Sequence, residues 1–400
     1  MKVLQINTFY KFGSTGKIVF DIHEELKRTG NESIVCYGRR KKTNEPGVFK
    51  VSSEIEGKIG AVLTRLFSVN FGYSYFSTAK VIRIIKKEKP DVVHLHCLNG
   101  HFVNVYRLVE YLKKNNIRTV LTLHAEIMHT AGCDHALDCN KWQTECHSCV
   151  KVKGKISGLF RDDAKVCFNK MKKAFAGFEN LTVVGVSEWL TKRAKSSPIF
   201  DDCKFDTIHN GIMTDVFTRH ESYELRQKLG IPDDKKVILH VTPDFKSKIK
   251  GGSYVLQLAE KLPEYQFIIV GYNDTQSDDI PRNIITVSHT QDQIELAKYY
   301  SMADCFICTS LRESLPTVCL EAISCGTKVV AFNSGGIPET IPEWAGETVE
   351  CYDIDKFATA VQKWVDITVP DEMVLDIGRI NSRKNMFNEY LKIYNNEVVI

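Results

Sequence analysis

Two glutamates, Glu313 and Glu321, bracket the seven residues Ser-Leu-Pro-Thr-Val-Cys-Leu and lead into Cys325-Gly326-Thr327-Lys328. Ahead of them the apolar run Cys305 to Cys308 reads as a strand. Pro316 suits the first turn of a helix, where its missing N–H costs nothing. Gly326 then ends that helix, and Lys328 to Phe332 resumes as a strand. One carboxylate therefore falls in a strand-to-helix loop and the other on the helix itself. Backbone N–H groups and the dipole at a helix start favour an anion. Carboxylates beside such a place can hold hydroxyls while the helix end holds a diphosphate, which is the chemistry a sugar-nucleotide asks for. Two exposed acids flanking a helix would show the same spacing.

A second loop carries the complementary charge. After the strand-like Val237 to Val241 come Lys246, Lys248, Lys250, Gly251 and Gly252, ahead of a helix beginning near Ser253. Lysines and glycines at a strand-to-helix turn can clamp a diphosphate, with Lys250 nearest the helix start; a solvated lysine loop is the alternative. His94, His96 and His124 stand at the ends of two apolar strands, either facing a ligand or satisfied by a neighbouring backbone group. Cys133, Cys139, Cys146 and Cys149 crowd into a 133–149 loop with His135 and His147. They could ligate a structural zinc, form a redox-labile disulfide pair or stay as separate thiols. The loop reads as short of apolar residues and in need of such a staple. Asp353-Ile-Asp355 precedes a helical pattern and reads as a helix cap. Tyr75 to Lys87 has apolar residues at helical spacing with a basic opposite face, suited to docking on its own sheet or on a membrane surface.

These residues are set on short apolar strands alternating with amphipathic helices, the pattern of doubly wound parallel sheets. Strands are expected at 3–7, 33–37, 92–96, 119–123 and 182–186, then at 237–241, 267–270, 284–287, 305–308 and 328–332. A helix is expected from about Lys17, after Gly13-Ser14-Thr15-Gly16. At 400 residues the chain needs two domains. The expected division is 1–206, 207–375 and a terminal helix over 376–400 that caps the second domain or crosses back to the first. The fold class is α/β, two Rossmann-like domains facing a central cleft, with ligands at the strand carboxyl ends. A net charge of +4 leaves no general nucleic-acid footprint. No apolar run approaches the ~20 residues of a membrane helix. Thirteen cysteines without a leader-like start fit a reducing cytoplasm.

With these residues in place, the chain resembles the family 4 retaining glycosyltransferases. The resemblance rests on Glu313 to Glu321 with its Gly326-Thr327 tail and on Gly335-Gly-Ile-Pro-Glu339. Asn210-Gly211-Ile212 with Phe217, and Lys250-Gly251, add to it. It implies the GT-B fold and transfer of a sugar from a UDP- or GDP-sugar to a hydroxyl of a glycan or lipid-linked glycan. Retention at the anomeric carbon and a place in bacterial surface polysaccharide assembly are implied as well. No cofactor would be needed for catalysis, and the enzyme would be cytoplasmic, at or near the inner membrane face. By the same resemblance, Glu321 binds ribose hydroxyls and Glu313 donor-sugar hydroxyls, with the backbone of Ser314, Leu315, Pro316 and Thr317 near the sugar and phosphates. Lys250, with Lys246 and Gly251, meets the diphosphate. Gly13, Ser14 and Gly16 approach the same phosphates, and His124 stands beside the reacting sugar. Two positions depart from the pattern. Asp244 and Phe245 stand where the family places an Arg, and Ala125 where it places an Asp after the histidine. A non-catalytic sugar-nucleotide-binding paralogue is the alternative. A dinucleotide oxidoreductase fits less well, since Gly13 to Gly16 is not Gly-x-Gly-x-x-Gly.

Overall fold

The computed structural model describes residues 1–67, 69–149, 164–272 and 280–397. Two compact units form, Met1–Ile208 with Glu389–Ile400, and His209–Asn388. Each is built on one wholly parallel sheet, so every strand-to-strand connection is a crossover.

In the first unit the strands are β1 (Lys2–Asn7), β2 (Glu32–Tyr37), β3 (Val48–Lys50), β4 (Val92–Leu95), β5 (Thr119–Leu123), β6 (Leu181–Gly185) and β7 (Lys204–Thr207). Their spatial order is β3-β2-β1-β4-β5-β6-β7. The second unit has β8 (Val237–Val241), β9 (Gln266–Val270), β10 (Ile284–Val287), β11 (Cys305–Cys308), β12 (Lys328–Phe332) and β13 (Gly346–Val349), ordered β10-β9-β8-β11-β12-β13. Central strands such as Val-Ile-Leu-His-Val and Cys-Phe-Ile-Cys are buried on both faces, as helices covering both sides of a parallel sheet require. Strand order reverses at β1/β4 and at β8/β11, the switch points where loops diverge and leave room for a ligand.

Every strand expected from the sequence forms, within a residue of its expected ends. The three that were not expected, β3, β7 and β13, are all sheet edges. An edge strand has one neighbour and needs no apolar run, and Lys-Phe-Asp-Thr or Gly-Glu-Thr-Val shows none.

Three local expectations are corrected. Gly13, Ser14, Thr15 and Gly16 are the opening turn of the helix Gly13–Arg28, not a loop before it. Pro316 lies one place earlier than expected, as the extended N-cap (φ −76°, ψ 107°) of the helix Thr317–Ser324. The long terminal helix is two helices, Asp371–Ile380 and Arg383–Asn395. They part because Ile212 pairs with Ser382 as an isolated bridge. Its N–H donates to the Asn381 carbonyl (2.8 Å) and its carbonyl accepts from the Arg383 N–H (3.1 Å), taking backbone groups a continuous helix would use.

The tail of Arg383–Asn395 enters the first unit through Tyr390 and Tyr394, each 1% exposed. The Tyr394 hydroxyl lies 2.6 Å from His94 Nδ1, and His94 Nε2 lies 2.8 Å from Thr122 Oγ1. Thr122 in turn meets the Tyr390 hydroxyl at 2.9 Å. This chain of side chains gives buried polar groups their hydrogen-bond partners.

Candidate active site

The loops after β8 and β11 leave the carboxyl edge of the second sheet on either side of its switch point. Ser247 to Gly251 closes as one tight turn over Lys248–Lys250, and Gly251 adopts φ +70°. Its Cα lies against the next loop, since a Cβ there would stand 2.0 Å from the Thr309 carbonyl oxygen. Only glycine fits both the dihedral and the space. Thr309 Oγ1 donates to the Gly251 carbonyl (3.0 Å), and the Leu311 N–H to that of Ile249 (2.7 Å). These bonds bring the two loops together and set Lys250 Nζ 2.6 Å from Glu313 Oε1.

Two helices start at this edge, Gly252–Lys261 and Thr317–Ser324. Neither has a side-chain cap or an acid in its first turn. Uncapped N–H groups at two helix starts beside a lysine make a local field that favours an anion. Ser314, Leu315 and Pro316 are buried and lead directly into the second of these helices. A third loop, after β12, braces Glu313: the Gly336 N–H donates to the Glu313 carbonyl at 3.0 Å. Gly335, at φ +65°, passes so close that a Cβ would lie 2.0 Å from that same oxygen.

Glu321 sits one turn into its helix, where its Oε2 accepts from the Tyr300 hydroxyl at 3.1 Å. Tyr300 is fully buried, and burial first, then the Glu321 charge, pushes its hydroxyl well above the ordinary range. It stays a donor at any ordinary pH.

Thus Lys250, Gly251, Glu313, Ser314 to Thr317 and Glu321 converge on one sheet edge. Lys246 is on the same loop and exposed. Phe245, where the family pattern has an arginine, is half-buried and packs against the core: its ring lies 5.0 Å from that of Tyr272 and 6.0 Å from that of His240. Asp244 is exposed beside it. Neither supplies a cation. Thr309 and Tyr300 escaped the sequence reading; Gly335 entered it only as part of Gly335-Gly-Ile-Pro-Glu339, with no role assigned.

Gly13, Ser14, Gly16 and His124 belong to the first unit. The glycines follow β1. His124 follows β5 and stacks on His96 at 5.5 Å, its Nε2 3.2 Å from His96 Nδ1. Burial pushes His124 down to about 4, so it is neutral at pH 7.

The 133–149 loop proves not to lack packing. Trp142 is 1% exposed and Glu126 0%. Arg193 donates to Glu126 Oε1 at 2.6 Å and lies 4.6 Å over the Trp142 ring. Burial alone would raise the Glu126 carboxyl, but His129, Arg193 and the Ala136 N–H outweigh it and bring it down to about 2. Cys133, Cys139, Cys146 and Cys149 are not joined in disulfides. Burial, then the other three thiols, pushes Cys146 up to about 12, keeping it protonated. Among the described residues no three His, Cys, Asp or Glu side chains are placed to hold a metal ion. Asp353 caps the helix Ile354–Trp364, accepting from the Lys356 N–H at 3.0 Å.

Residues 15–216 match the model of Glycosyltransferase Family 4, and residues 221–386 that of Glycosyl transferases group 1. The chain belongs to glycosyltransferase family 4. It is 20% identical over 415 residues to WcaC of Escherichia coli (strain K12), covering 99% of this chain and all of WcaC, whose name places it as a glycosyl transferase of colanic acid biosynthesis. Among solved structures, sucrose-phosphate synthase from Thermosynechococcus elongatus superposes with a TM-score of 0.69 at 18% identity, covering 99% of this chain and 98% of that one. Anabaena HepE in complex with UDP-glucose gives 0.65 at 14%, covering 99% and 100%. Together with the two parallel-sheet units, these likenesses make the fold GT-B.

Proposed function

We propose that this glycosyltransferase takes its sugar from a nucleoside-diphosphate-sugar held by the second unit. The sugar passes, with retention, to a hydroxyl of a glycan or lipid-linked glycan in surface polysaccharide assembly. The observation that carries this reading is the 2.6 Å contact of Lys250 with Glu313 at a switch point flanked by two uncapped helix starts. Cations and helix N–H groups suit a diphosphate, and adjacent carboxylates suit sugar hydroxyls. HepE was solved with UDP-glucose, which supports the donor class, and the name of WcaC supports the polysaccharide setting.

In the reaction, the bond from the anomeric carbon to the diphosphate oxygen breaks and a bond to the acceptor oxygen forms. The acceptor proton passes to the departing phosphate, so no strong protein base is required. Lys250, Gly251 and the helix start at Thr317 stabilise the charge that grows on the diphosphate, a preorganised electrostatic contribution. Glu313 holds the sugar and Glu321 the ribose. His124, neutral, serves as a hydrogen-bonding partner for the sugar rather than as an acid. The departure at Phe245 favours one second reading, a paralogue that binds donor without turning it over; consumption of donor in the presence of acceptor separates the two.

A melting-temperature panel of UDP-, GDP- and ADP-sugars tests the donor class. A ligand that binds only the folded state at a hundred times its Kd stabilises it by about 2.7 kcal/mol. One nucleotide series should raise the melting point, and Lys250→Ala should abolish the rise. No rise with any of the three would refute the donor site.

A further inference from the structure

Fourteen large hydrophobic side chains are exposed among the described residues, and six fall between Ile55 and Phe76. Ile55, Ile59, Val62 and Leu66, between 43% and 71% exposed, lie on the helix Glu54–Phe67. At 100° per residue they share an arc of about 60°. Among the described side chains of that helix, the buried ones are Gly57, Gly60 and Thr64. The Arg39 guanidinium fills the space a Cβ on Gly57 would take, and His101 packs against Gly60. This is the reverse of an ordinary surface helix, whose apolar stripe faces the core.

The charge around the stripe is one-sided. Lys58 and Arg65 flank it, and on the helix Tyr75–Glu88 the exposed Lys80, Arg83 and Lys87 share a stripe with Phe76, itself 86% exposed. Between Glu54 and Lys89 there are seven lysines and arginines against three glutamates, a net +4 that equals the net charge of the whole chain. Two of the glutamates are engaged within the protein: Glu54 with Lys50 at 3.0 Å, and Glu56 with the Ser77 N–H and hydroxyl at 3.0 Å. The latter bonds also fasten the two helices to each other. A second copy of the chain would bring the same positive charge against this face, which disfavours self-association.

We propose that the helix Glu54–Phe67, with the start of Tyr75–Glu88, docks on an anionic phospholipid bilayer. Ile55, Ile59, Val62 and Leu66 enter the boundary between headgroups and acyl chains, and the lysines and arginines lie among the phosphates. No helix among the described residues is long and apolar enough to cross a membrane, so the contact is peripheral. The inference stands apart from the donor site, and its test reads nothing of turnover.

The test is co-sedimentation of the full chain with vesicles of phosphatidylcholine, with or without roughly 30% phosphatidylglycerol. Binding should require the anionic lipid and weaken as salt rises. Ile59→Asp should weaken it roughly tenfold or more. Lys58→Glu with Arg65→Glu should do likewise, at about 1 kcal/mol or fivefold per charge. Tyr223→Asp, at an exposed ring of the second unit, should change nothing. These side chains point outward, so melting temperatures should match the wild type, and the lysine–arginine pair exchanges polar for polar if Ile59→Asp misfolds. Equal binding to both vesicle types, no binding, or wild-type binding by both variants overturns the proposal. A dimer that Ile59→Asp dissolves, without vesicle binding, overturns it in favour of a self-interface.

Discussion

Glu321 shows how a residue legible by type depends on one that is not. Its place on a helix after Glu313 can be read from Pro316 and Gly326. Its partner cannot, because Tyr300 lies on the preceding helix, Gln293–Met302, and meets it only through the fold. Tyr300→Phe leaves a carboxylate without that donor. A hydrogen bond to a charged group is worth about 1.5–3 kcal/mol, so the variant should lose stability on that scale in urea unfolding. It should also bind the nucleotide several-fold more weakly by calorimetry, because a carboxylate held by one bond fewer is less well positioned for the ligand. Unchanged stability and affinity would mean that the Tyr300 hydroxyl does not position Glu321. At Lys250 the residues alone offered three lysines, with nearness to the helix and the Lys250-Gly251 resemblance to favour one; the 2.6 Å pairing with Glu313 gives that choice a geometry. At Phe245 the sequence showed that the family's arginine is missing but not what the side chain does instead: its ring packs against Tyr272.

Elements explain why the site forms where it does. Three loops, after β8, β11 and β12, leave one sheet edge and lock backbone to backbone through Gly251 and Gly335. Gly335→Ala forces a left-handed φ on a side chain, costing about 1–2 kcal/mol, and drives its Cβ into the Glu313 carbonyl. The protein should still fold but should lose donor affinity more than stability, as denaturant midpoints and titration of the same preparation would show. Loss of stability with donor affinity intact would count against the bracing of Glu313 by this loop. The strand series was legible because centrally buried parallel strands are continuous apolar runs. The edge strands β3, β7 and β13 were not, since half of each one's hydrogen bonding faces away from the sheet. The break at Asn381 was hidden for a different reason: the competing partner, Ile212, is far away in the chain.

Over the whole molecule, the two units carry unequal loads of buried titratable groups. His94 and His96 are fully buried and their imidazoles lowered well below the ordinary 6.5, by burial first, and His124 is lowered to about 4. The unfolded chain takes up protons that these histidines refuse when folded. Stability is therefore full above about pH 6.5 and falls as pH drops toward 4, on the order of 3 kcal/mol for His124 alone. Glu126 adds a second loss below its ordinary 4.5, as pH falls toward 2. The second unit has His240, held at about 4 by burial, in this window. On acidification from pH 7 to 5, amide exchange corrected for intrinsic rates should rise first in β4 and β5. Earlier opening of β8 and β11 would contradict this. The donor site, in the other unit, should keep its geometry as the first unit loosens. The division of roles within that site is tested most directly by calorimetric titration, using the nucleotide series found to bind. Both the free nucleoside diphosphate and its sugar conjugate are titrated into the wild type, Glu321→Gln and Glu313→Gln. Glu321→Gln should weaken both ligands by roughly ten- to a hundredfold, the worth of a hydrogen bond to a charge, whereas Glu313→Gln should weaken the sugar conjugate and spare the free nucleotide. Wild-type affinity for both ligands in Glu321→Gln would contradict the assignment.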